Sequence, residues 1–249
     1  MSHFGLPAEI RACLFDLDGV LTPTAQVHAA AWKETFDAYL RARAQTSTAP
    51  CVPFDVVGDY ERYVDGKPRA DGTRSFLAAR GIRLPEGRAD DPPEAETVWG
   101  LSNRKNQIVT RLLREGRIAA YDGSVRYVRA VRGAGLRTAV VSSSRNCRLV
   151  LESAGITDLF DAIVDGIVAR DAMLAGKPAP DTYLAAARAL AVVPAQSAVF
   201  EDALAGVEAG RAGGFGCVVG IDRVGQAGEL RRHGASVVVT DLAQLLEAA

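Results

Sequence analysis

The sequence predicts an α/β fold: a parallel sheet core with an inserted α-helical domain. Three observations predict it. Short apolar segments recur, each running into acidic, hydroxylic or glycine-rich residues. Helical patterns alternate with those segments through the second half of the chain, which implies a parallel sheet covered on both faces. From residue 24 to 118 there is no strand alternation, so a helical insert separates the first strand from the rest. The core is assigned to residues 1–22 and 120–249, and the helical insert to 23–119.

Arg11–Phe15 reads as a buried strand ending at Asp16, because a short run without polar alternation suits a strand covered on both sides. Leu136–Val141, Ser197–Phe200, Gly216–Val219 and Ser236–Val239 read the same way. Between them, Gly123–Arg132, Arg145–Ala154, Asp181–Ala191 and Ala203–Ala212 carry helical patterns. In the insert, Thr24–Ala44 is made of helix formers with Val27, Ala31, Phe36 and Leu40 at helical spacing. Thr46–Pro53 is a loop, Arg69–Arg80 a second helix ended by Gly81, and Asn103–Glu115 a third ended by Gly116. Leu84–Pro93, rich in Pro, Gly and Asp, begins an excursion to Gly100 that reads as a surface loop.

With 48% hydrophobic residues over 249, the chain has enough apolar mass to fold, which excludes a disordered protein. Lys and Arg total 29 against 30 Asp and Glu, so no basic excess points to nucleic acid or an anionic membrane. Uninterrupted apolar runs fall far short of the ~18 residues of a membrane span, and no secretory signal is visible. Cys13, Cys51, Cys147 and Cys217 are scattered without C-x-x-C spacing, which argues against zinc and for a reduced, cytoplasmic protein.

The chemistry lies at the strand ends, where open parallel sheets bind ligands. Asp16 and Asp18 are two apart in an extended segment and share a direction, and Gly19 permits a sharp turn. Ser142, Ser143 and Ser144 follow the second strand. Gly176-Lys177-Pro178 lies between strands, and Glu201 and Asp202 follow Phe200. Taken singly these are a turn, a helix cap and a favourable helix-dipole pair. Together they bring four acids, hydroxyls and one lysine to one crevice. Oxygen-only ligands without nearby His or Cys suit Mg²⁺. Lys177 and Ser142 can hold the oxygens of a phosphate, and the N-terminus of the helix after Ser144 adds N–H donors. One carboxylate can attack phosphorus, and the second can move a proton to and from the leaving oxygen.

FDLDGVLT (15–22), VVSSS (140–144), GKPAPD (176–181) and FEDALAGVEAG (200–210) resemble the motifs of the haloacid dehalogenase superfamily across essentially the whole core. That resemblance implies a Rossmann-like sheet core with the helical insert as its α-helical cap domain, Mg²⁺ and an aspartyl-phosphate intermediate. Asp16 would be the nucleophile, Asp18 the general acid/base, and Ser142 and Lys177 the phosphoryl ligands. Asp16, the Asp18 carbonyl, Glu201 and Asp202 would hold the metal.

Within the superfamily, TAQVHAAAW (24–32), DGKPRADGTRSFL (65–77), NRKN (103–106) and SSSRN (142–146) are similar to the β-phosphoglucomutase family. By that likeness His28 couples closure to Asp18, Trp32 and Lys105 line a sugar site, and Gly66 and Arg69 form the substrate loop. Arg69 would sit on the phosphate remote from the metal, with Ser144, Arg145 and Asn146 on the core side of the same site. Pro23 stands where many relatives carry an acid, and Arg145 where lysine is usual, which keeps the charge but changes its hydrogen-bond geometry.

The resemblance implies a phosphomutase that interconverts β-D-glucose 1-phosphate and glucose 6-phosphate, with β-glucose 1,6-bisphosphate as activator and intermediate. A monomer acting on a small sugar phosphate, with no nucleic-acid or membrane partner, is expected. The alternatives are a Mg²⁺-dependent sugar-phosphate phosphatase and a non-catalytic sugar-phosphate sensor. A sensor would need neither Asp16 nor Asp18.

Overall fold

A computed structural model describes residues 3–45, 51–116 and 118–247. The chain forms two compact units: one runs to Thr24 and resumes at Ile118, and the other spans 25–117. No helix among the described residues is long and apolar enough to cross a membrane.

The first unit is built on β1 (Ala12–Phe15), β2 (Arg137–Val141), β3 (Ala162–Val164), β4 (Ser197–Glu201), β5 (Cys217–Ile221) and β6 (Val237–Val239). They form one sheet in the order β3-β2-β1-β4-β5-β6, and every pairing is parallel. This is the doubly wound order, with β1 central and the order of strand addition reversing between β1 and β4. Phe15 pairs with Val140 on one side and Phe200 on the other, so the ends of β1, β2 and β4 lie abreast.

Alternation along β1 sends Ala12 and Leu14 to one face and Cys13 and Phe15 to the other. Leu14 joins Ala139, Val141, Val199, Tyr183 and Val207 in one buried cluster. On the opposite face Phe15 stacks on Phe200 at 4.5 Å and meets Tyr127 edge-on at 6.3 Å. Burial of each large side chain contributes about 1.5–3 kcal/mol, so the site hangs from the most deeply packed strand.

Around the sheet lie the helices Asp122–Gly133, Cys147–Ser153, Gly166–Asp171, Asp181–Ala189, Leu204–Ala212, Ala227–His233 and Gln244–Glu247. The strand β3 and the helices at 166, 227 and 244 are absent from the sequence reading. Each is too short, at three to seven residues, to display a period.

The second unit is helical. Here α1 (Ala25–Ala44), α2 (Arg69–Ala79) and α3 (Val98–Glu115) pack around Trp32, Phe36, Phe54, Phe76, Leu77 and Leu101, and Phe36 stacks on Phe76 at 4.0 Å. A π-helical turn at Tyr60–Val64 precedes α2. Thr97 caps α3 by accepting from the Gly100 amide at 2.9 Å, so α3 begins five residues before the expected start at Asn103. The excursion expected to run as a surface loop from Leu84 to Gly100 therefore ends in the first helical turn. Leu84 and Trp99 pack on the helical core. Of the expected loop 46–53, residues 46–50 lie outside the described residues.

Candidate active site

Asp16 follows β1 directly. Its amide extends the ladder by donating to the Phe200 carbonyl at 3.0 Å, which keeps the chain extended and aims the side chain beyond the sheet edge. Leu17 then accepts from the amides of Leu21 and Thr22, and the Gly19 amide donates to the Thr22 carbonyl, folding the segment into a tight loop. Gly19 is required here: its φ is +85°, and a Cβ would fall 1.7 Å from Asp202 Oδ2.

Lys177 reaches this strand end from the loop between the helices Gly166–Asp171 and Asp181–Ala189. Its ammonium donates to Asp16 Oδ1 and to Glu201 Oε1, both at 2.5 Å, and to the Val141 carbonyl at 3.3 Å, with the Tyr183 ring 5.0 Å away. Glu201 also accepts from the Tyr183 hydroxyl at 2.8 Å and the Ala203 amide at 3.2 Å. Gly206 lets its carboxylate lie against the next helix, because a Cβ there would be 1.8 Å from Glu201 Oε1. Burial opposes the Lys177 charge, but Asp16 and Glu201 outweigh it and hold the ammonium above its usual pKa. Burial lifts the Asp16 carboxyl well above the carboxylate range, against the pull of Lys177, and Glu201 and Asp18 push the same way.

Asp16, Glu201 and Asp202 each present a carboxylate oxygen within 4.8 Å of the others, and all three are buried. One lysine cannot balance three buried carboxylates. An all-oxygen cluster with a surplus of negative charge and glycine-lined walls fits a hard divalent cation such as Mg²⁺.

Asp18 lies two residues beyond Asp16: the Thr24 hydroxyl donates to its Oδ1, and Thr24 in turn lies 2.7 Å from the Thr22 hydroxyl. Ser142 is buried, and its Oγ accepts from the Ser144 amide at 3.1 Å. Ser144 Oγ accepts from the Asn146 amide, also at 3.1 Å. The helix after them starts at Cys147, not at Arg145, so hydroxyl-closed turns occupy the place where a helix N-terminus was expected. Arg145 is exposed.

In the helical unit, Lys105 is buried, its ammonium 2.8 Å from His28 Nδ1 and 4.8 Å from the centre of the Trp32 ring. An ammonium only donates, so Nδ1 accepts and the neutral ring carries its proton on Nε2. Arg69 is the first residue of α2, and its Nη2 donates to Asn103 Oδ1 at 2.9 Å. Gly66, at φ +69°, turns the chain ahead of Pro68 and α2.

Thr24, Tyr183, Asn103, Arg223 and Gln226 escaped the sequence reading as functional positions. Arg223 Nε donates to the Gly19 carbonyl at 2.7 Å, and Gln226 Nε2 to the Asp202 carbonyl at 3.1 Å. Glycine and acid spacing marks the loops these two residues hold. Nothing local marks the residues themselves.

A family model described as haloacid dehalogenase-like hydrolase matches residues 10–214. A Mycobacterium tuberculosis (strain CDC 1551 / Oshkosh) protein named beta-phosphoglucomutase is 58% identical over 245 residues, covering 97% of this chain and 94% of that protein. A Bacillus subtilis (strain 168) protein of the same name is 32% identical over 210 residues, 83% of this chain and 81% of its own. The crystal structure of beta-phosphoglucomutase from Clostridium difficile superposes with a TM-score of 0.72 at 26% identity, covering 95% of this chain and 93% of that one. With its strand-end aspartates, bridging lysine and paired acids in place, the chain belongs to the haloacid dehalogenase-like hydrolase family, among the relatives of the beta-phosphoglucomutases.

Proposed function

We propose that this protein is a sugar phosphomutase that interconverts β-D-glucose 1-phosphate and glucose 6-phosphate by way of β-glucose 1,6-bisphosphate. The observation that carries the chemistry is the bridge from Lys177 to Asp16 and Glu201 beside Asp202. The 58% identical relative carries the choice of sugar.

Asp16 is the nucleophile in this reading. One of its oxygens forms a bond to phosphorus as the bond to the sugar oxygen breaks, and Asp18 gives that oxygen a proton. In the second half Asp18 takes a proton from the incoming sugar hydroxyl, which attacks the aspartyl phosphate and restores the carboxylate. Thr24 orients Asp18 by its hydrogen bond. Lys177 and Ser142 hold the phosphoryl oxygens. Asp16, Asp202, Glu201 and the Asp18 carbonyl would hold Mg²⁺, which when bound neutralises charge on the transferring phosphoryl group.

A mutase needs a second phosphate site, because its bisphosphate must bind in both orientations. Arg69 supplies a guanidinium suited to a bidentate phosphate contact, and Ser144, Arg145 and Asn146 are further ligands. His28, Trp32, Gly66 and Lys105 serve the sugar and its loop. A phosphatase would dispense with this second set.

Asp16→Asn tests the covalent step. It preserves shape but removes the nucleophile, so turnover should fall to background while circular dichroism and the thermal midpoint show a folded protein. Substantial turnover in the folded variant would refute it.

A further inference from the structure

The excursion between α2 and α3 is not a free surface loop. The Val98 amide donates to the Pro85 carbonyl at 3.0 Å, and the Trp99 amide to the Glu86 carbonyl at 3.2 Å. Glu86 takes a two-pronged bond from Arg74 of α2, at 3.1 Å from Nε and 2.6 Å from Nη2. Arg104 of α3 donates to the Pro93 carbonyl at 2.9 Å, and Thr97 to Asp91 Oδ2 at 2.6 Å. Exposed polar residues are thus fixed at both ends and in the middle.

The fixed loop converges on one side chain. Asn103 Nδ2 donates to the Ala89 carbonyl at 3.2 Å and the Asp91 carbonyl at 2.8 Å. Two carbonyl acceptors on the nitrogen determine which way the amide faces, so Oδ1 is turned to Arg69, which donates to it at 2.9 Å. The Trp99 ring lies 6.0 Å from the same guanidinium. Arginine in the first turn of a helix opposes the macrodipole, so its place at the start of α2 does not serve helix stability. Asn103 is neutral, so its bond fixes the direction of the guanidinium without itself cancelling the positive charge.

We infer that Asn103 is a positioning residue: the 84–97 excursion sets Asn103, and Asn103 holds Arg69 ready for the phosphate it receives. This rests on the reading of Arg69 as a phosphate ligand. Ordering a long side chain before binding removes an entropic cost that the substrate would otherwise meet.

The test compares Arg69→Ala, Asn103→Ala and the double variant of the full chain, with β-glucose 1-phosphate, Mg²⁺ and a trace of bisphosphate. Asn103→Ala should raise KM about tenfold with kcat and the thermal midpoint little changed, and the double variant should be no worse than Arg69→Ala. Asn103→Asp keeps an oxygen towards Arg69 but loses both donors to the loop carbonyls, so its KM should rise too. A wild-type KM in either Asn103 variant, with Arg69→Ala impaired, overturns the inference and leaves the role of Arg69 standing. Additive losses in the double variant also overturn it, because Asn103 would then act elsewhere. A wild-type KM in Arg69→Ala overturns the phosphate role itself, and the inference with it.

Discussion

Arg223 and Gly19 are joined by a 2.7 Å hydrogen bond across 204 positions of sequence, from Nε to the carbonyl of the glycine that turns the Asp16–Asp18 loop. Arg223 Nη1 also donates to the Thr240 carbonyl at 2.9 Å, and the guanidinium lies 3.9 Å from the centre of the Tyr121 ring. It touches no carboxylate of the candidate metal site, yet it holds the loop that carries two of the expected ligands. Outer groups that orient ligands are worth 10–100-fold in metal affinity, so Arg223→Met should weaken Mg²⁺ binding about tenfold. Calorimetric titration with Mg²⁺ measures this, and unchanged affinity would rule out the coupling.

Lys177 stands between two buried carboxylates, with side-chain exposures of 1% for Lys177, 9% for Asp16 and 0% for Glu201. Removing one member of a buried pair costs about 3–5 kcal/mol, because the partner is left uncompensated. Lys177→Met should therefore lose stability on that scale in metal-free urea melts. Mg²⁺ should raise its midpoint more than that of the wild type, since the cation replaces missing positive charge. Equal shifts would contradict the placement of the cation among these carboxylates.

Asp222 organises the loop from which Arg223 and Gln226 reach the site. Burial raises its pKa, but the amides of Gln226, Gly225, Val224 and Ala227 outweigh that and hold it below the usual value. A depressed folded pKa means stability that is present above the unfolded value, about 3.9, and lost as pH falls through the folded one. Asp222→Asn should thus lower the thermal midpoint most near neutrality, with the deficit shrinking below pH ~4. A deficit independent of pH would show that charge at Asp222 has no part in it.

How much was legible in the sequence depended on whether a residue and its partners were close along the chain. Asp16, Asp18 and Gly19 announce themselves, because a buried strand fixes the direction of the residues that follow it. Glu201 and Gly206 sit in one motif because the carboxylate needs the missing Cβ five residues on. Asn103 opens the NRKN segment, but its role is not legible there: it lies in the carbonyls of Ala89 and Asp91 and in an arginine 34 positions away. Tyr183 read as one more apolar residue of a helix, and its hydroxyl matters only because the fold brings Glu201 within 2.8 Å. The strand Ala162–Val164 was hidden by its length, and the start of α3 by a proline-rich approach that masked the Thr97 cap.

In the proposed reaction the phosphoryl group taken by Asp16 returns to sugar and not to water. A ³¹P NMR time course with β-glucose 1-phosphate, Mg²⁺ and a trace of β-glucose 1,6-bisphosphate tests it most directly. A mutase gives growth of the glucose 6-phosphate resonance at the expense of glucose 1-phosphate, little free phosphate, and loss of all conversion in chelator. Release of inorganic phosphate without glucose 6-phosphate would contradict it and make the protein a phosphatase, and no change in any resonance would make it a sensor.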